Sequence, residues 1–281
     1  MKLAAVLEAA AAELAAVGVP SPQNDAEVIM AHALGISRGS LLAKVFKGDD
    51  LSGDPLRQFA QMIDRRMSRE PLQHIVGLAP FLDFELKVGP GVFIPRPETE
   101  MLTEMALAEL GTAAQPLVVD VGTGSGAIAI GIARARPNAS VIAVESSLPA
   151  AEFARQNLAD LAPTVTLKVA DFEVILLQLQ GKCDLIVSNP PYIPADAEPT
   201  EPEVSQYDPP EALYGGEDGL DVIRKLERFA WFSLKPGGML LLEHGFDQSQ
   251  QIRDILGNSG WQQLQSHNDL AGKMRFTSAR R

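Results

Sequence analysis

The chain is expected to form an α/β fold, a doubly wound sheet preceded by a small helical domain, and three features of the sequence carry that expectation. Short, branched, apolar runs at 117–121, 141–145, 165–170, 184–188 and 239–243 alternate with stretches of helical period. Such alternation is the pattern of a mostly parallel sheet with helices on both faces. The first run opens into Asp120-Val121-Gly122-Thr123-Gly124-Ser125-Gly126, a glycine loop between strand and helix, which is where open α/β sheets hold nucleotide-like ligands. Residues 1–70, by contrast, carry helical periodicity alone.

Length and composition set the outer limits. A chain of 281 residues exceeds the usual single domain and can bury roughly three-quarters of its unfolded surface, enough for a large domain and a small one. Apolar residues at 46% and charged residues at 21% describe an ordinary globular protein. The net charge of −12 argues against a surface for duplex nucleic acid, because phosphate contacts need clustered Lys and Arg. Cys183 is the single cysteine, so no internal disulfide can form, and its place at the head of an apolar strand marks it as a core thiol. The alanine-rich amino terminus, interrupted by Glu8 and Glu13, fits neither a signal peptide nor a membrane span. A cytoplasmic protein without a membrane partner is therefore expected.

In chain order, Leu3, Val6, Leu7, Ala10, Leu14 and Val17 recur at helical spacing until Gly18 and Pro20. Ser21-Pro22 reads as an N-cap followed by proline at the first helical position, and Asp54-Pro55 opens a further helix to about Arg69. From 71 to 95 the period changes. Leu82, Phe84, Leu86 and Val88 alternate with Asp83, Glu85 and Lys87, a half-buried strand within a hairpin that links the domains. His74 has no second ligand at metal spacing, so a structural histidine and no metal are expected. Pro97, Glu98 and Glu100 then suit the positive end of a helix that opens the large domain, 96–281. Capping does not require Arg96, which is suited to hold a carboxylate or an acidic loop.

Gly122, Gly124 and Gly126 let the chain turn sharply and approach a ligand, with Thr123 and Ser125 between them. Glycines alone leave a dinucleotide site as the competing reading, which the Gly-x-Gly-x-Gly spacing disfavours. Glu145 closes the second strand, 19 residues beyond Gly126, where a carboxylate accepts the hydroxyls of an adenosine ribose. The fourth strand delivers Asn189-Pro190-Pro191-Tyr192 at its carboxyl end. Two prolines stiffen this loop and remove two backbone donors, so it offers acceptors. Two converging acceptors, the Asn189 side-chain carbonyl and the Pro190 backbone carbonyl, can grip the hydrogens of a planar NH2 group and favour the less planar state that attacks an electrophile. Tyr192 would pack on the amide plane and help enclose a cation. Beyond it, the proline-rich stretch 198–210 reads as a functional loop, and Gly215-Gly216-x-x-Gly219 as hinge freedom before the next helix.

Asn-Pro-Pro-Tyr after a strand, following Asp-x-Gly-x-Gly-x-Gly at the first strand, resembles the S-adenosylmethionine-dependent methyltransferases that modify planar nitrogens. Pro71-Leu72-Gln73-His74-Ile75-Val76-Gly77 and Ile94-Pro95-Arg96-Pro97-Glu98-Thr99-Glu100 resemble, more narrowly, the release factor glutamine methyltransferase family. The resemblance spans almost the whole chain. It implies a class I methyltransferase domain, a seven-stranded sheet whose last strand is antiparallel, and transfer of a methyl group from S-adenosyl-L-methionine to the N5 amide nitrogen of the glutamine in the Gly-Gly-Gln motif of peptide chain release factors. By the same resemblance Asp120, Gly122, Thr123, Gly124, Ser125, Gly126, Glu145, Asp171, Phe172 and Asn189 bind the cofactor, with Asp171 and Phe172 bordering its adenine. Asn189, Pro190, Pro191 and Tyr192 receive the substrate, Asn189, Pro190 and Tyr192 doing the catalytic work, and Arg96 or Thr99 touches the cofactor. The family usually has aspartate where this chain has Glu145. The helical domain, 1–70, would dock the release factor, the protein acting as a monomer. Amino-group methylation of nucleic acid bases is the alternative, opposed by the acidic charge and the lack of a target-recognition domain. A cofactor-retaining binding module is a second, opposed by the intact Asn189 and Tyr192.

Overall fold

The computed structural model describes residues 1–281, and the chain divides into two compact units, one of 1–78 with 199–207, the other of 79–198 with 208–281. The first is built from α1 (Leu3–Ala16), α2 (Pro22–Leu34), α3 (Arg38–Lys47), α4 (Asp54–Met67) and α5 (Leu72–Val76). The apolar stripe Leu3, Val6, Leu7, Ala10 and Leu14 is buried as its spacing demands, against Ala26, Ile29, Met30, Phe59 and Ile63. Ser21 occupies the N-cap of α2 but makes no side-chain cap bond, the start being set by Pro22. Helix α3 escaped the sequence reading because Leu41 is its single buried residue, too thin a stripe to show a period. No single helix is long and apolar enough to cross a membrane.

The second unit begins with β1 (Leu78–Phe81) and β2 (Phe84–Lys87), which pair as a two-stranded sheet. The alternation expected to start at Leu82 starts at Phe84 instead, because Leu82 lies in the turn with φ +51. Then follow α6 (Pro97–Leu110), β3 (Leu117–Val121), α7 (Ala127–Ala135), β4 (Ser140–Glu145), α8 (Leu148–Leu161), β5 (Thr166–Val169), α9 (Phe172–Gln178) and β6 (Cys183–Ser188). The chain continues through α10 (Pro202–Tyr207), which belongs to the first unit, to α11 (Pro210–Leu213), α12 (Asp221–Ser233), β7 (Leu234–Glu243), α13 (Ser249–Asn258), β8 (Gln262–Asn268) and β9 (Met274–Arg280). Short helix α10 thus stands within the stretch 198–210, where a polar loop was expected.

The main sheet has seven strands in the order β5-β4-β3-β6-β7-β9-β8. The first five are parallel, and β9 runs antiparallel between β7 and β8. Successive residues of the central strands feed two separate cores. Val118, Leu185, Val187 and Leu241 pack with α6, α7 and α8, whereas Val119, Val121, Ile186, Leu240 and Leu242 pack with α9, α12 and α13. Burial on both faces is why these strands read as unbroken apolar runs. Cys183 is fully buried at the head of β6. Asp120, Glu145, Asp171 and Asn189 then fall at or just beyond the carboxyl ends of β3, β4, β5 and β6, the edge at which open sheets bind ligands.

Candidate active site

The glycine loop is held from beneath by Asp120, whose Oδ2 accepts from Thr123 Oγ1 at 2.5 Å and from the Ala129 amide at 3.1 Å. Asp120 is fully buried, and its Oδ1 meets no donor of the protein. Burial, opposed by those two hydrogen bonds and reinforced by the negative charge of Glu145, pushes its carboxyl up to about 7. Gly122 and Gly124 have φ of +70 and +56, and a Cβ on either would meet no protein atom within 4 Å. The loop therefore faces open space on the side where a ligand would lie. Asn157 of α8 secures its far end, donating to the Ser125 carbonyl at 2.9 Å.

Glu145 bends over the same loop. Its Oε2 accepts from the Gly124 amide at 2.9 Å and its Oε1 from the Ser146 and Ser147 amides at 2.9 and 2.8 Å. The carboxylate is 8% exposed, and three of its roughly four acceptor positions are thus engaged by backbone. Asp171 caps α9 by accepting from the Glu173 amide at 3.0 Å, and Phe172 meets Phe229 edge-on at 6.4 Å between ring centres. An orphaned buried carboxylate oxygen, an open glycine cradle and an acid at the next strand end together fit a nucleoside-bearing cofactor.

Asn189 follows directly on β6, which Ser188 ties to β3 by donating to the Val121 carbonyl at 2.7 Å. The Asn189 Nδ2 donates to Thr99 Oγ1 at 3.2 Å, and Thr99 Oγ1 donates to Glu243 Oε2 at 2.9 Å. Its Oδ1 and the Pro190 carbonyl accept no hydrogen bond from the protein. Burial, then the negative charge of Glu243, pushes the Tyr192 hydroxyl up to about 12, so it stays protonated at neutral pH. The Tyr192 carbonyl accepts from Gln248 Nε2 at 2.8 Å.

Gly215 and Gly219 press on the same loop. A Cβ on Gly215 would lie 2.5 Å from the Pro191 carbonyl oxygen, and one on Gly219 would collide with that of Tyr192. The hinge expected of these glycines is instead a close-packed floor, paired through the Ile193 amide to the Leu213 carbonyl at 2.8 Å and the Gly215 amide to the Ile193 carbonyl at 2.9 Å. Arg96 pairs with the buried Asp208 at 2.8 Å and lies over the Phe93 ring, and Thr99 stands behind Asn189.

The sequence reading missed Glu243, Asn157 and Gln248. For Glu243 there was a signal, an acid closing an apolar strand as Glu145 does; Asn157 and Gln248 lie in ordinary polar stretches and give none.

Residues 5–77 match the PrmC N-terminal domain and residues 83–203 the methyltransferase small domain. A release factor glutamine methyltransferase of Mycolicibacterium smegmatis is 43% identical over 281 residues, covering 100% of this chain and 98% of its own. One of Deinococcus radiodurans is 42% identical, covering 100% and 99%. Among solved structures, a T. thermophilus 16S rRNA methyltransferase in complex with AdoMet and guanosine has a TM-score of 0.53 at 22% identity, covering 73% of this chain and 49% of its own, which speaks to the fold.

Proposed function

The chain belongs to the release factor glutamine methyltransferase family, and on that premise we propose that it methylates the N5 amide nitrogen of the glutamine in the Gly-Gly-Gln motif of peptide chain release factors, using S-adenosyl-L-methionine. The observation that carries the reading is the pair of open acceptors, Asn189 Oδ1 and the Pro190 carbonyl, at the carboxyl end of β6 beside the glycine cradle. Asp120, the loop 122–126 and Glu145 would hold the cofactor, with Asp171 and Phe172 at its adenine. When bound, it supplies an electrophilic methyl group on a cationic sulfur.

The two acceptors would each take one hydrogen of the incoming amide, which would turn its nitrogen lone pair out of conjugation and orient it for attack. Tyr192, neutral throughout, covers the amide plane and shields the site from water. A dedicated base would be unnecessary, because the nitrogen, on taking the methyl group from a sulfur that leaves as a neutral thioether, would become strongly acidic and lose its proton to solvent. The proposed setting is a cytoplasmic monomer with the helical unit docking the release factor.

The test is incubation with methyl-labelled S-adenosylmethionine and a purified, unmethylated release factor. Label should appear with wild type and the intact glutamine, and vanish with Asn189→Ala or with a Gly-Gly-Ala factor. Label on RNA or DNA in place of the factor would overturn the reading.

A further inference from the structure

Resting on the reading of this site as an amide clamp, we propose that Thr99, backed by Glu243, is a positioning residue that decides which way round the Asn189 amide faces the substrate. A side-chain amide is nearly symmetric in shape, and a half-turn about its last torsion exchanges its carbonyl oxygen for its NH2. The clamp works in one of these states alone. With NH2 outward, Asn189 would confront the hydrogens of a substrate amide with hydrogens of its own.

The hydrogen-bond chain selects the working state. Glu243 closes the apolar run Leu240-Leu241-Leu242 and is 2% exposed, and once ionised its side chain can only accept. The Thr99 proton is therefore committed to Glu243 Oε2, 2.9 Å away, leaving only lone pairs on Thr99 Oγ1 toward Asn189. Across that 3.2 Å contact NH2 is attracted and a carbonyl oxygen repelled. Donors run one way, from Asn189 to Thr99 to Glu243, and Oδ1 is left facing the site. Thr99 is 4% exposed and its carbonyl accepts from Thr103 Oγ1 at 2.9 Å, one turn further along α6, so the hydroxyl sits on a fixed support. The same chain gives the buried acid at this strand end a hydrogen-bond donor, since an unpaired polar group there would be costly.

Thr99→Val keeps the shape and removes the hydroxyl, whereas Thr99→Ser restores it. Thr99→Val should lower kcat about tenfold, the worth of one good hydrogen bond, with the KM for the release factor unchanged. Thr99→Ser should return kcat to within about threefold of wild type. Wild-type kcat in Thr99→Val, or equal loss in both variants, would overturn the proposal, the latter because packing would then be the cause. A second readout needs no turnover: the side-chain NH2 signals of Asn189 in a 1H–15N spectrum, identified by their absence in Asn189→Asp. They should shift and lose protection from deuterium exchange in Thr99→Val and not in Thr99→Ser. If the wild type fails to methylate release factors, the functional reading falls while this measurement still decides the relay, unchanged signals in Thr99→Val sinking it.

Discussion

Replacing Glu203 with alanine is expected to loosen the segment that carries it. Three charge-assisted hydrogen bonds converge on this carboxylate: Arg69 Nε and Nη2 at 2.8 and 2.6 Å, and Arg66 Nη2 at 2.9 Å. At about 2 kcal/mol each their gross worth is about 6 kcal/mol. Two facts reduce it. The Arg69 side chain is 21% exposed, so water replaces part of what is lost. Arg66, 5% exposed, keeps its bonds to Asp25 at 2.8 Å and to the Glu70 carbonyl at 3.0 Å and is not stranded. Tyr207 also still donates to the Ser68 carbonyl at 2.8 Å. A net loss of about 2 kcal/mol remains, a factor of roughly 30 in the local opening equilibrium. Hydrogen exchange followed by mass spectrometry should show it, with the α10 amides exchanging about 30-fold faster. Glu198→Ala, at an exposed position, should change nothing. An acceleration below about threefold in Glu203→Ala would refute the argument. Acid should mimic the mutation. Burial acts to raise the Glu203 carboxyl, but the hydrogen bonds from Arg69 and then Arg66 outweigh it and hold the pKa below its ordinary value. A depressed carboxyl contributes stability above its ordinary range, lost as pH falls through the folded value, so α10 should lose protection below about pH 4.

Asp120 and Glu243 predict the opposite slope. Burial pushes each up to about 7; for Glu243 the Thr99 bond opposes, Glu98 adds to the rise, and Arg275 and Arg96 lower it. The folded protein then holds more protons than the unfolded between about pH 4 and 7, so stability falls as pH rises through that window, by on the order of 3 kcal/mol per group, and Glu243→Gln should remove its share of the slope in thermal melts. Methyl transfer should climb through the same region as Glu243 ionises and fixes the Thr99 proton, a limb absent in Glu243→Gln. Gly215→Ala, by driving a Cβ into the Pro191 carbonyl, should abolish methylation while leaving cofactor affinity, measured by calorimetry, within about threefold. The Cys183 thiol, raised to about 12 by burial, should resist a thiol reagent at pH 8 until the protein unfolds, so its labelling rate measures global opening.

Much of this protein is determined by sequence alone, because the interactions involved are local or periodic. The inner parallel strands β3, β4, β6 and β7 follow from apolar runs that must be buried on both faces, and the glycine loop from positive φ values that only glycine adopts cheaply. The acceptor-rich character of Asn189-Pro190-Pro191-Tyr192 follows from two prolines without amide donors. What tertiary structure decided lies between residues far apart in the chain. Helix α10 belongs with the helical unit through Glu203 and residues 66 and 69, a pairing that no local spacing announces. Gly215 and Gly219 are a floor rather than a hinge because the Asn189 loop returns upon them from some 25 residues earlier. The direction of the Asn189 amide depends on Thr99 and Glu243, 90 residues before it and 54 after. A hydrogen bond is satisfied in three dimensions, and its sense is set by whichever partner the fold brings within 3 Å.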